Sequence, residues 1–255
     1  MNKTYSMDGV QTILSYPFKS PAWQSKFVTA VVISLGSFFI PILPGLLLMG
    51  YCARITQSII NEHAELILPE WNDWGDYLSR GVKVFGAMLL FLLPILFLLI
   101  GGYFIMTVAA IANVIISALG SHNVTTIAVI LQLLGSLVGV LMFALGFLLV
   151  IPLSLMAPPA IAHVIAKNSF SAVFHIKQWW KIARANLWGF VTALILVSGV
   201  YIFVVLIMQA LYLTVLLCFL IPFVLCIFSA YISLVSAAAL GEAYRKGVEN
   251  LAAAA

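Results

Sequence analysis

A chain of 255 residues that is 64% hydrophobic and 8% charged lies far outside the soluble mix of about 45–50% apolar and 25% charged residues. Its net charge of +4 comes from basic residues scattered singly along the chain, which excludes a nucleic-acid footprint. Three windows free of Asp, Glu, Lys and Arg, residues 27–53, 84–166 and 185–241, together hold 167 of the 255 residues, so hydrocarbon rather than water must solvate most of the surface.

Residues 1–26 contain no continuous apolar run, so no cleavable secretory signal is expected there. The first window, residues 27–53, carries Pro41 and Pro44 at its middle, followed by Gly45. Each proline removes a backbone donor and clashes with the preceding turn, so a broken helix or helical hairpin, about residues 23–39 and 46–63, is expected, with a single span as the alternative. The second window needs two crossings at about 20 residues each. Its polar cluster Gly120, Ser121, His122 and Asn123 predicts the turn, between helices at about 84–119 and 124–151. Pro152, Pro158 and Pro159 are expected to end or kink the second of these. The third window also needs two crossings, roughly 187–208 and 218–240, with a turn at 209–214 or, failing that, near Pro222.

The expected fold is therefore all-α, a polytopic membrane protein of about six helical segments in one membrane domain over residues 1–255. Its parts are an N-terminal segment (1–26), the hairpin and an acidic, aromatic border element (27–83), two long helices (84–166), a basic amphipathic helix (167–187), two further helices (188–241) and a tail (242–255). Residues 167–184 carry four positive charges and no acid, which predicts a cytoplasmic location. With a hairpin in the first window, every basic border residue and both termini fall on that side, as in a multi-pass protein of a prokaryotic inner membrane.

Two border elements are candidates for function. Around residues 170–188 a helical reading places Val173, Ile176, Trp180, Ala183 and Leu187 on one stripe and Lys177, Lys181 and Arg184 on another. The cations are placed for lipid phosphates or a partner. Residues 68–81, LPEWNDWGDYLSRG, read as a helix beginning at Pro69, with Glu70, Asp73 and Asp76 along one face beside Trp71, Trp74 and Tyr77. Three close carboxylates can hold a divalent cation, but their spacing fits no calcium loop and Arg80 stands one turn after Asp76 as a partner. The acidic element is expected to dock on the basic helix at Lys177–Arg184.

Cys52, Cys218 and Cys226 show no CxxC spacing, and His63, His122, His163 and His175 lie far apart without metal-ligand spacing. No catalytic motif is present, and no cofactor or metal is expected. The apolar windows hold hydroxyls and amides such as Asn113 and Gln132, enough for interhelical hydrogen bonds, while Ser136 and Gly139 allow close helix approach. The expected function is a non-enzymatic scaffold or accessory subunit of a membrane assembly. Its partners would be membrane lipids and a second copy or another membrane protein, with no nucleic acid. The alternative is a channel or carrier for a neutral or lipid-like solute, supported by prolines at Pro41/Pro44, Pro94, Pro152 and Pro222.

Three stretches together carry a resemblance: Tyr16-Pro17-Phe18-Lys19 with Pro21, Trp23 and Lys26; Gly50-Tyr51 with Arg54; and the string at 68–81. Their combination resembles the bacterial and archaeal membrane proteins of the domain-of-unknown-function family numbered four thousand and thirteen. The resemblance implies a multi-spanning membrane domain and no activity. Where an acidic residue is expected after the Tyr-Pro-Phe-Lys string, this chain has Ser20.

Overall fold

The computed structural model describes residues 7–62, 67–119, 122–213 and 219–254. Among them every regular element is helical: α1 (Met7–Lys19), α2 (Trp23–Gly36), α3 (Leu43–Gln57) continued by a π-helical turn (Ser58–Glu62), α4 (Trp74–Leu119), α5 (His122–Lys167), a 3-10 turn (Phe170–Phe174), α6 (Ile176–Ala185), α7 (Leu187–Tyr212) and α8 (Ile221–Ala253). Five of these helices are long and apolar enough to cross a membrane. The protein is an all-α polytopic membrane protein. His63, Gly120, Ser121, Thr214 and Cys218 lie outside the described residues, as do the side chains of His122 and Asn123.

The prolines act as their positions dictate. Pro41 sits in the break between α2 and α3, while Pro44 occupies the first turn of α3, where its missing N–H costs nothing. Pro222 likewise opens α8. The other prolines correct the sequence-based expectation. Pro94 lies inside α4, and Pro152, Pro158 and Pro159 lie inside α5, which neither ends near residue 151 nor breaks. Within an apolar environment the intact turns on either side of a proline keep their own hydrogen bonds, and breaking the helix would orphan more backbone groups than the proline does. The hairpin of the first window is present, but its first arm is short: α2 has 14 residues, about 21 Å.

The chain divides into two compact units, Met1–Ala87 with Pro158–Ala255, and Met88–Ala157. In the first, α8 is the hub on which α1, α2, α3, α6 and α7 pack. The sequence explains why: Ala237, Ala238, Ala239, Gly241, Ala243 and Gly247 keep α8 thin, so that neighbours reach its backbone. Thr56 donates to the Ala237 carbonyl at 2.9 Å, Asn186 to that of Ala243 at 2.8 Å, and Gly247 lies against Ile182 of α6 with no room for a Cβ.

The second unit is the distal part of the α4–α5 hairpin. Small residues zip it together: a Cβ on Gly135 would meet that of Ala109 at 2.5 Å, and one on Gly139 would meet Met106 and the Gly102 carbonyl. Asn113 donates to Gln132 across the pair. Gly139 thus serves packing within the chain rather than between copies. The outer faces are apolar and exposed over their whole length, from Leu93 and Phe97 to Ile115, and from Ile127 to Ile151.

Candidate functional site

The three family-like stretches come together in the first unit around residues 67–73, and the reason is chemical. This segment is irregular, so the carbonyls of residues 67–70 are not used in a helix. Four successive ones each accept a hydrogen bond from a different helix. Tyr16 of α1 donates to Ile67 O (3.3 Å), Lys26 of α2 to Leu68 O (2.7 Å), Tyr51 of α3 to Pro69 O (2.8 Å) and Tyr77 of α4 to Glu70 O. The Leu68 N–H donates to Ser20 Oγ at 3.2 Å, and the Trp71 indole N–H to Lys26 O at 3.0 Å. Buried backbone groups away from water must find such partners, and here long side chains with polar tips supply them. Burial pushes the pKa of the Tyr16 hydroxyl above its usual value, so it stays a donor.

Rings complete the clasp. Trp71 stacks on Tyr51 with centroids 3.8 Å apart and planes 7° from parallel, and Tyr77 meets both edge-on. Beneath the strap α3 and α4 cross backbone to backbone. A Cβ on Gly50 would lie 1.6 Å from Tyr77 O, and one on Gly81 1.9 Å from Leu46 O. Both glycines have negative φ, so the crossing needs their lack of volume rather than their conformational freedom.

This geometry corrects the expected helix at 68–81. Only Trp74 onward is helical; Glu70, Trp71 and Asp73 precede it. Asp73 is the cap, its Oδ1 accepting from the Asp76 N–H at 3.0 Å, and the negative side chains favour the helix start. Asp76 pairs with Arg80 as the spacing predicts, and Arg80 also donates to Gln57. Glu70 pairs with Lys26 at 2.7 Å. The expected docking of the acidic element on the basic helix is overturned: the ion-pair partners found for Glu70 and Asp76 are Lys26 and Arg80. Lys26→Met leaves the Leu68 carbonyl without its donor in a dry site, so a loss of about 1–3 kcal/mol is expected in denaturant titrations. Glu70→Gln, at a side chain 70% exposed, is expected to cost under about 1 kcal/mol.

The basic element is shorter than expected. A 3-10 turn, then His175, precede α6, and Asn186 separates it from α7. Trp179, Ile182 and Ala183 are the buried face, while Trp180 is half-buried under the Arg184 guanidinium and Ile176 is exposed. The apolar stripe is thus displaced from the predicted one, because α6 seats against α8 through Ile182 and Ala183. Lys177, Lys181 and Arg184 are all exposed. Behind α6, His163 of α5 is buried, with Nδ1 2.6 Å from the Tyr244 hydroxyl and its ring 6.5 Å from that of His175. Sequence reading passed over this pair because nothing in a spacing of 81 residues marks it.

At the border between α3, α4 and α5 a small cavity of about 10 Å³ is lined by Ala53, Arg80, Lys83, Val84, Val164, Ile165 and Asn168. Lys83 Nζ donates to Asn168 Oδ1 at 3.0 Å.

Residues 33–213 match the family described as "Protein of unknown function (DUF4013)". The match includes the Gly50-Tyr51 and 68–81 stretches and begins after the Tyr16–Lys26 stretch. A curated relative is the uncharacterized protein MJ1189 of Methanocaldococcus jannaschii, 22% identical over 186 residues, covering 70% of this chain and 54% of that protein. The chain thus spans about half the length of that relative. No solved structure matches.

Proposed function

The chain belongs to the DUF4013 family, and from that premise we propose that it is a non-enzymatic membrane scaffold that self-associates through the α4–α5 hairpin and gathers anionic lipid at α6. The observation that carries this reading is the hairpin's length. Residues 88–119 and 122–157 carry no charge and rise about 48 and 54 Å, against a hydrocarbon core of about 30 Å. Tilt alone would have to reach about 50°, beyond the usual range of about 0–40°. The surplus is apolar to the last turns, with Val108, Ile111, Val114 and Ile115 exposed on one helix and Ile127, Ile130 and Leu131 on the other. A second copy in the same bilayer carries the same surplus at the same depth, so it is the natural cover.

The proposed setting is a prokaryotic inner membrane with both termini and α6 on the cytoplasmic side, where anionic lipids meet the exposed Lys177, Lys181 and Arg184. Neutralising all three to Gln is expected to leave unfolding unchanged within about 1 kcal/mol, because solvated charges contribute little. It should lower the share of anionic lipid that co-purifies, read by lipid mass spectrometry. Equal lipid composition in variant and wild type would remove α6 from the account. Self-association is tested by disulfide crosslinking of Leu137→Cys, placed on the exposed hairpin, in native membranes. A crosslinked dimer is expected; chains that stay single at this and neighbouring outer positions would refute the reading. The carrier alternative keeps only the break at Pro41, since Pro94 and Pro152 lie within unbroken helices.

A further inference from the structure

The cavity beside Arg80 combines three features that a structural void does not need. Its lining combines the apolar Ala53, Val84, Val164 and Ile165 with the cationic Arg80 and Lys83 and the amide of Asn168. Its volume admits one water-sized group, such as a single oxygen atom. Its depth is fixed twice over. Val84 begins the charge-free stretch of α4, and Ala166 ends that of α5 one residue before Lys167. Two independent helices thus pass from charge to hydrocarbon at this level, which is where lipid phosphates lie.

The cations are held in place. Arg80 is tied to Asp76 and Gln57, which orients its guanidinium and neutralises part of its charge. Lys83 is held by the neutral amide of Asn168 rather than by a carboxylate. Asn168 has φ 46°, a left-handed conformation that asparagine tolerates. It ends α5 in a paired-bond cap, with Asn168 N–H to Ile165 O at 3.1 Å and Ser169 N–H to Val164 O at 3.2 Å. The cap turns the amide toward Lys83.

We infer that this cleft binds a phosphate oxygen between Arg80 and Lys83, carried by an anionic lipid headgroup or by free phosphate. The site shares no residue with α6 or with the hairpin surface, so it stands or falls independently of the proposed scaffold. A charge-assisted contact to phosphate is short and strong, and losing one is expected to weaken binding about tenfold.

The test is a titration of the delipidated full chain, followed by native mass spectrometry, with phosphatidylglycerol, with dioleoylglycerol as the phosphate-free control, and with inorganic phosphate as competitor. Phosphatidylglycerol should bind wild type and bind Lys83→Gln about tenfold more weakly, with dioleoylglycerol alike for both. Asn168→Gly suits the left-handed position, so it folds while releasing Lys83, and should weaken binding about threefold. Displacement of the lipid by inorganic phosphate identifies the free anion as a ligand as well; absence of displacement assigns the site to the headgroup. Unchanged phosphatidylglycerol affinity in Lys83→Gln and Asn168→Gly overturns the inference. So does a loss seen only when Lys177, Lys181 and Arg184 are neutralised. Should Lys83→Gln not fold, Asn168→Gly alone decides.

Discussion

Replacing Gly50 with alanine is expected to destabilise the first unit by more than about 3 kcal/mol, the upper end of overpacking costs. The new methyl would sit 1.6 Å from Tyr77 O and 2.4 Å from its carbonyl carbon. Neither is the tip of a flexible side chain. Relief therefore requires α3 and α4 to part by about 2 Å, and in a close-packed interior that opens voids elsewhere. Parting them also moves Tyr51 and Tyr77, whose hydroxyls hold Pro69 and Glu70. Gly81→Ala should behave alike, since its Cβ would meet Leu46 O at 1.9 Å. Both substitutions press on one crossing, so the double variant should cost well under the sum of the two. Denaturant or thermal unfolding in detergent checks this. Full additivity, or stability within about 1 kcal/mol of wild type for Gly50→Ala, would show that the helices do not cross as described.

Trp179→Ala is the second large effect, with about 3–5 kcal/mol expected for losing a buried tryptophan. Trp179 is 2% exposed, and its indole N–H donates to Val173 O at 3.0 Å. Helix α6 has ten residues, too few to persist in water unless its apolar face is packed. Its buried face is Trp179, Ile182 and Ala183; Trp179 ties it to the preceding turn at Val173, and Ile182 bears on Gly247 of α8. The loss should therefore concentrate in α6. Amide exchange over residues 176–185 should accelerate strongly, while the α3–α4 crossing keeps its protection. Anionic lipid enrichment should fall as it does when Lys177, Lys181 and Arg184 are neutralised, although no charge has changed. Retained protection in α6 would contradict the assignment of Trp179 as its anchor.

How far the sequence reaches depends on which physical signal a feature leaves. Charge-free windows mark hydrocarbon; α7 lies in one entirely, and α4, α5 and α8 lie in them for most of their length. Pro41 marks a real break, and the chain reverses there through Ile42 at φ 74° before α3 begins. Pro152, Pro158 and Pro159 carry the same local signal without the same result, since the apolar surroundings of α5 favour an unbroken helix. Glu70, Trp71 and Asp73 look helical by spacing, yet their segment is irregular because Tyr16, Lys26, Tyr51 and Tyr77 reach its carbonyls. Those donors lie 51, 42, 18 and 7 residues from their acceptors, and no local pattern encodes such pairings. The one available hint is that buried tyrosines require partners for their hydroxyls. The choice of Lys26 rather than the α6 cations as partner for Glu70 follows from the same strap. Asp76 with Arg80 was legible because four residues along a helix place them side by side.

The most direct measurement of the scaffold account is the mass of the protein in lipid nanodiscs, taken by native mass spectrometry or light scattering. The account predicts two or more copies per particle, with the hairpin surfaces in contact. A single copy per particle, with no companion protein retained, would contradict it.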